Sequence, residues 1–501
     1  MVNDFLYVTP ESQGLPSKKI LEFIKIINDY KINVHSFIIV KNGKILAEAY
    51  AHPYFKDFKH RLYSCSKSYA AVAVGKLVGE GLVKVTDKFC DYFPEYTLGK
   101  NLDAERLNMT IEDLLTMSVP FLATTYGVKD GKYVIFRNEP WVDTFFEEDF
   151  KTVKQTGTLF DYNTSASFML DVLVEKLTGK KFLEYLRPEL DEIGVSKDIF
   201  CVESPDGYSW GGSGVCCTTR DFAKFAELIM HRGKCNGKQL LPYDYLYKAT
   251  TKQIDTIIDN GFNYDCQGYG YQIWITPEGG FAFNGMGCQF AHCYPDDDFM
   301  VVFNSDTQCS VGMASTLLHM GALNMKRALT SPLQENEEDY KNLQQALSNF
   351  SLHNGYGEKT SPIQSEIENK TFNLGENPMG IKWVKFNFVD DEGVMTYENP
   401  RGVKQIKFGL EKYVFFEFPE THYYQTRVHT PKGSGYICTG NGAFTSPNNL
   451  LIRINAVDVN LGHIGISANF KNGEISMAMS KVAEGFFDEY KGYATSVTYK
   501  K

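Results

Sequence analysis

Ser64 and Lys67 are the residues whose types and spacing say most about chemistry. They lie in His60-Arg61-Leu62-Tyr63-Ser64-Cys65-Ser66-Lys67-Ser68-Tyr69-Ala70-Ala71-Val72-Ala73-Val74, where a polar approach gives way to an apolar run. Read as a helix over 64–78, this segment puts a hydroxyl and an amine three residues apart on one face. A serine hydroxyl is a poor nucleophile at neutral pH. A neighbouring lysine whose charge is disfavoured by burial or by another cation can take its proton. The helix N-terminus also offers backbone N–H groups to an oxyanion on the substrate. Ser-x-x-Lys arises by chance about once or twice in a chain of this length, and the same residues suit an ordinary helix start with Ser as cap. The surroundings must therefore carry the case.

A hydrolase built on Ser64 needs a second group to move protons between nucleophile and leaving group. Tyr162 is the candidate, in Thr156-Gly157-Thr158-Leu159-Phe160-Asp161-Tyr162-Asn163-Thr164-Ser165, a turn entering an apolar helix. Held near Lys67, its phenol could have its pKa lowered enough to act as base; packing as an ordinary core ring is the competing reading. Tyr340-Lys341-Asn342 and Tyr397-Glu398-Asn399 repeat the Tyr-x-Asn triplet outside any such setting. A third segment, Phe281-Ala282-Phe283-Asn284-Gly285-Met286-Gly287-Cys288-Gln289-Phe290, is a glycine-rich strand or strand end. Glycine there admits close approach of a ligand, and the N–H after it can be a second oxyanion donor; a bend or bulge is the plainer alternative.

The elements that must position these residues can be read from periodicity. Residues 17–29 carry apolar side chains at helical spacing behind Ser17, a candidate N-cap. Residues 35–40 and 45–50 flank Lys41-Asn42-Gly43-Lys44, a strong hairpin signal. Helices are expected over 69–82, 110–117, 165–177, 221–231 and 311–329, and strands over 269–276, 280–283, 289–294 and 299–304. The order strands, helices, strands suggests an α+β domain whose antiparallel sheet is assembled from both ends of the segment, with a helical lobe inserted. A polar, acidic stretch from Ser331 to Asp339 suggests a boundary. After a short helix near 340–350, short strands are expected at 381–389, 404–410, 413–418, 426–430, 450–457, 462–470 and 474–480, as in a small barrel or sandwich.

Composition narrows the function classes. A chain of 501 residues with 43% hydrophobic and 22% charged residues is an ordinary globular protein of more than one domain. A net charge of −10 without a long basic run argues against nucleic acid as a partner. Neither a leader peptide nor a membrane-spanning run is recognisable. The 11 cysteines are odd in number and scattered, which suits reduced thiols in the cytoplasm. No His/Cys/Asp grouping has metal-ligand spacing, and no phosphate loop is present, so neither metal nor cofactor is expected.

Together these segments resemble the serine β-lactamase and penicillin-binding-protein superfamily, in its branch of β-lactamase-related esterases and amidases. The resemblance spans about residues 8–330. Its markers are Glu11-Ser12-Gln13-Gly14-Leu15, Asn42-Gly43, Ser64-Cys65-Ser66-Lys67, the run from Val83-Lys84-Val85-Thr86-Asp87-Lys88 to Tyr92-Phe93-Pro94-Glu95, Met109 to Met117, Gly157 to Asn163, and Gly211-Gly212-Ser213-Gly214 before Thr219-Arg220-Asp221. It implies a β-lactamase/transpeptidase-like domain over 1–330, a linker and short helix over 331–350, and a β-rich domain over 351–501 like the small barrel appended to some relatives. It further implies Ser64 as acyl-accepting nucleophile and Lys67 with Tyr162 as proton-handling pair. The N–H groups of Ser64 and Met286 would form the oxyanion hole, with Asn284, Gly285 and Thr164 at the substrate.

Two departures bear on substrate. The family's third motif has Lys-Thr-Gly or His-x-Gly where Phe283-Asn284-Gly285 stands, and its second motif ends in Asn where Thr164 stands. Without that strand cation a substrate carboxylate lacks its partner, unless a loop arginine such as Arg220 is recruited. The expected activity is hydrolysis of a small ester, amide or peptide through an acyl-Ser64 intermediate. Acyl transfer to an amine or alcohol, D,D-peptidase or β-lactamase activity, and a non-catalytic ligand-binding protein on the same fold are the alternatives.

Overall fold

The computed structural model describes residues 4–121, 128–129, 132–133, 140–148, 151–256, 267–308, 311–352, 357–420, 436–483 and 487–497. The strand expected at 426–430 lies outside them. The chain forms two compact units, one of Met1–Ala51 with Phe55–Phe350, the other of His52–Tyr54 with Ser351–Lys501.

The first unit is built on a seven-stranded sheet. Its strands are β1 (Leu6–Tyr7), β2 (Val34–Lys41), β3 (Lys44–Tyr50), β4 (Trp274–Ile275), β5 (Phe281–Gly285), β6 (Gln289–Tyr294) and β7 (Phe299–Ser305), in spatial order β1-β3-β2-β7-β6-β5-β4. The two ends of the segment thus meet in one sheet, antiparallel throughout except for the β1–β3 pair at one edge. Asn42 and Gly43 both take positive φ, 51° and 68°, which closes the β2–β3 hairpin with the twist that antiparallel strands require. The strands β6 and β7 are buried at every residue, so both faces of the sheet are covered. The coverings include α4 (Thr219–Met230) and α5 (Val311–Arg327), each packed on β6 and β7.

The helix α1 (Ser17–Asp29) buries the stripe Ile20, Phe23, Ile24 and Ile27. Ser17, expected to cap it, is instead its first residue, because Pro16 occupies the cap position with extended backbone and no hydroxyl to offer. Glu11 supplies the cap. Its carboxylate accepts the Ser17 N–H at 2.6 Å and the Ser17 hydroxyl at 2.9 Å. The helix α6 (Glu337–Ser348), expected in a linker, packs on α1 within the first unit.

The helical lobe centres on α2 (Ser66–Gly79) packed against α3 (Thr164–Thr178). Eleven residues of each are buried, which is why their apolar residues run almost continuously rather than in a stripe. The expected strand 269–276 shrinks to β4, since Gln272 adopts a φ of 58° that breaks an extended run.

The second unit is a ten-stranded sheet running from Thr371–Asn373 to Gly492–Thr495. It curls until these end strands are joined: Leu374 bridges Ser496, and the Val497 N–H donates to the Asn373 carbonyl at 3.0 Å. That closure favours the barrel over the sandwich. Phe386, Met395, Ile406, Phe408, Ile452 and Ile466 are among its core. Two long strands, Glu392–Asn399 and Ile437–Ser446, were not foreseen. Tyr397 sits on the first with its hydroxyl 2.7 Å from that of Tyr490, a core contact.

Replacing the cap tests this account of α1. Glu11→Ala removes two buried hydrogen bonds to a carboxylate, so a loss of about 1–3 kcal/mol is expected. A thermal melt of the variant that overlays the wild type would contradict it.

Candidate active site

Ser64 lies in a 3₁₀ turn, Tyr63–Cys65, that leads into α2, so the helix expected from residue 64 begins at Ser66. A 3₁₀ turn eclipses residues three apart, and Ser64 and Lys67 remain on one face. Lys67 Nζ donates to Ser64 Oγ at 3.3 Å and to the carbonyl of Gly212 at 2.6 Å. Ser64 is half-buried, whereas Lys67 is 1% exposed.

Burial dominates the electrostatics of that amine. Among the described residues no carboxylate offsets it, and desolvation lowers the Lys67 pKa from 10.5 to about 7 despite an opposing contribution from Cys65. A lysine in this state is neutral in a large fraction of molecules near pH 7, with a lone pair beside a hydroxyl.

Three segments close around the pair. Gly211-Gly212-Ser213-Gly214 forms a tight turn in which the Ser213 and Gly214 N–H groups donate to the Trp210 carbonyl at 2.9 and 2.7 Å. A Cβ on Gly212 would stand 2.7 Å from Thr164 Cγ2, so glycine lets this turn approach both Lys67 and α3. The buried Thr164 therefore packs under the turn. The second segment carries Tyr162. Asn163 caps α3 by accepting the Ala166 N–H at 3.1 Å and ties its amide to the Phe121 carbonyl at 3.2 Å. Those bonds set the direction in which the preceding residue leaves the helix. Tyr162 stacks on Trp274 with centroids 5.8 Å apart at 16°, and Lys67 Nζ lies 5.0 Å from the Tyr162 ring centroid.

The third segment is the end of β5. A Cβ on Gly285 would fall 2.3 Å from the Leu62 carbonyl oxygen and 3.2 Å from Cys65 Sγ. Only glycine allows the strand to lie against the turn that carries Ser64. Met286 follows, half-buried, its carbonyl accepting Gln289 Nε2 at 3.2 Å. Asn284 is half-buried, and Phe283 packs into the core against Phe222 and Phe225.

Ser64, Lys67, Tyr162, Thr164 and Gly285 thus converge, with Asn284 and Met286 on either side of Gly285 at the strand end. Arg220 does not join them. Its guanidinium donates to Glu48 through Nε at 2.7 Å and to Asp4 through Nη1 at 2.7 Å, so the arginine suggested for a substrate carboxylate is committed elsewhere. Tyr340 lies on α6 and Tyr397 in the second unit.

Sequence reasoning missed several residues that shape the site. Gln272 accepts from Ser167 Oγ at 2.6 Å through Oε1 and from Ser68 Oγ at 2.7 Å through its backbone carbonyl. It also donates to the Leu114 carbonyl at 2.8 Å. One side chain and its backbone thereby clamp α2 and α3. Arg61, Trp210 and Trp274 were likewise passed over. Their only signal was adjacency, Arg61 three residues before Ser64 and Trp210 next to the glycine run.

Among the described residues no group of His, Cys, Asp and Glu could hold a metal ion, and no helix is long and apolar enough to cross a membrane. Nine cysteines among them are free thiols.

Residues 22–315 match the family model described as Beta-lactamase. A 6-aminohexanoate-dimer hydrolase from Paenarthrobacter ureafaciens is 23% identical over 315 residues, spanning 59% of this chain and 78% of that protein. A Bacillus anthracis structure provisionally assigned as a 6-aminohexanoate-dimer hydrolase superposes with a TM-score of 0.53 at 20% identity, over 65% of this chain and 87% of its own. An octameric penicillin-binding-protein homologue from Pyrococcus abyssi covers 96% of this chain and 99% of its own, at a TM-score of 0.45 and 14% identity. The family match spans more than half of the sequence, and the chain belongs to the β-lactamase family, as a hydrolase with that family's α+β fold.

Proposed function

We propose that this hydrolase cleaves an ester or amide through an acyl-Ser64 intermediate, with Lys67 and Tyr162 as its proton relay. The observation that carries this reading is the buried Lys67 amine, held 3.3 Å from Ser64 Oγ with a pKa lowered to about 7 by desolvation. Ser64 Oγ attacks the substrate carbonyl carbon while its proton passes to the neutral Lys67 amine. The carbonyl oxygen, now anionic, is held by the N–H groups of Ser64 and Met286. Collapse breaks the bond to the leaving group, which receives a proton through Tyr162. Water then attacks the acyl-enzyme along the same path and restores Ser64.

Substrate class follows from charge. With Phe283 turned into the core and Arg220 bound to Glu48 and Asp4, a substrate carboxylate has no matched cation from either residue, and burying it unpaired costs several kcal/mol. Small neutral esters and amides are the substrates we infer, and the name of the Paenarthrobacter relative makes a linear amide the natural second test compound. The free thiols suit a reducing compartment, and we place the enzyme in the cytoplasm.

Ser64→Ala should abolish labelling by a fluorophosphonate probe and turnover of a p-nitrophenyl ester while the melting temperature stays near wild type; labelling that persists would move the nucleophile elsewhere. Lys67→Ala and Tyr162→Phe should each cost about 10²–10⁴-fold in turnover, with the double variant little worse than either. Full additivity would show that the two do not act together. Tyr340→Phe serves as the inert control.

The rate should also report the Lys67 proton. Since the neutral amine is the active form, kcat/KM on a neutral ester should rise with pH through about 7 and flatten above it. An acid limb near pH 4 would point to a carboxylate base instead. A neutral ester and a linear amide should outperform nitrocefin and a D-Ala-D-Ala peptide in kcat/KM, and efficient turnover of either of the latter would refute the charge argument.

A further inference from the structure

We propose that Arg61 is a positioning residue for the proton relay, holding in one place the turn that presents Ser64 and the carbonyl that accepts the Lys67 amine. This rests on the reading of Lys67 as base and goes beyond it to what fixes that base.

The geometry is that of a brace between two loops. His60 and Arg61 form a short strand paired with Cys217 and Cys216, directly after the glycine turn, and the Leu62 N–H donates to the Val215 carbonyl at 2.8 Å. From this strand the Arg61 side chain, 3% exposed, reaches back along the turn. Its Nε donates to the Ser213 carbonyl at 2.8 Å and its Nη2 to Ser213 Oγ at 3.1 Å. The neighbouring carbonyl, that of Gly212, is the one that accepts Lys67 Nζ at 2.6 Å. Two buried basic side chains, a guanidinium and an amine, therefore donate to consecutive carbonyls of a single turn.

The other face of the guanidinium bears on the nucleophile. Its carbon lies 4.5 Å from the ring centroid of Tyr63 and 4.7 Å from that of Trp210, each within the range of cation–π attraction. Tyr63 adopts a φ of 48°, a left-handed conformation costly for a bulky residue, and it immediately precedes Ser64. Such a conformation persists only where its surroundings enforce it. The flat, forked guanidinium can stack on a ring and make two directed hydrogen bonds at once, and a lysine ammonium can do only part of this.

If Arg61 works this way, its loss loosens the Gly212 carbonyl and Ser64 together and opens the Lys67 amine to water, which favours the protonated form. Arg61→Met, Arg61→Lys and Lys67→Ala should be compared on a neutral p-nitrophenyl ester across pH, with melting temperatures. We expect Arg61→Met to lower kcat at pH 7 by about 10²-fold, the scale of a misplaced reacting group, with KM within about threefold of wild type. Its acid limb should move upward from about pH 7, and Arg61→Lys, which keeps the charge but not the fork or the stacking plane, should recover part of the rate. An acid limb coincident with wild type, or a rate loss uniform across pH that Arg61→Lys does not relieve, would overturn the proposal and leave Arg61 a purely structural strut. Should Arg61→Met fail to fold, Ser213→Ala removes only the Nη2 bond and should move the limb in the same direction by less; no movement there overturns the proposal equally. The Lys67→Ala arm separates the two claims, because full activity in that variant refutes the base assignment itself, whatever Arg61 does.

Discussion

The arrangement depends on one constraint, the enclosure of the Lys67 amine beneath Ser64 with no carboxylate to offset it among the described residues. An isolated ammonium in such a place is strongly disfavoured, and the group relieves the penalty by giving up its proton near neutral pH. A lysine paired with Asp or Glu would stay charged and be useless as a base. On the mechanism proposed here, enclosure without a counter-charge is what lets this side chain accept a proton, provided that its position is fixed to within a hydrogen bond of the hydroxyl. The surrounding structure supplies that fixing through backbone carbonyls, aromatic faces and close-packed glycines rather than through opposite charges.

Glycine is what makes the enclosure sterically attainable. At Gly212 the turn can touch both the Lys67 amine and Thr164, and at Gly285 a strand end can rest against the Leu62 carbonyl. Each contact leaves no room for a methyl group, so the three segments that meet here could not come as close with any other residue. The sheet contributes rigidity. The strand β5 is held along its length by β6, which is buried at every residue, so the position of Gly285 relative to the turn that carries Ser64 is inherited from the core of the unit.

Much of this was legible in the sequence because it depends on local chemistry. The α1 stripe, the Asn42-Gly43 hairpin and the 289–294 strand stand where periodicity and turn residues put them. So does the three-residue spacing that unites Ser64 and Lys67. What escaped was set by contacts distant in sequence. Pro16 displaced Ser17 from the cap only because Glu11 could reach back to serve in its place. Gln272 ended a promising strand by taking a left-handed turn that its bonds to Ser68, Ser167 and Leu114 make worthwhile. The Gly211–Gly214 run was visible as a family marker, yet its use as a carbonyl acceptor for Lys67 depends on a fold that brings residue 212 to residue 67. Strand Ile437–Ser446 was hidden by Gly440 and Gly442, which dilute the apolar alternation while leaving the backbone free to pair on both sides.

The most direct test of the account is the ionisation of Lys67 itself, read by NMR of protein carrying 13C-labelled lysine, with the Lys67→Met variant used to assign its side-chain resonance. A titration midpoint near pH 7, far below that of the surface lysines, is the result this account predicts. A Lys67 resonance that titrates with the surface lysines, near pH 10, would contradict it.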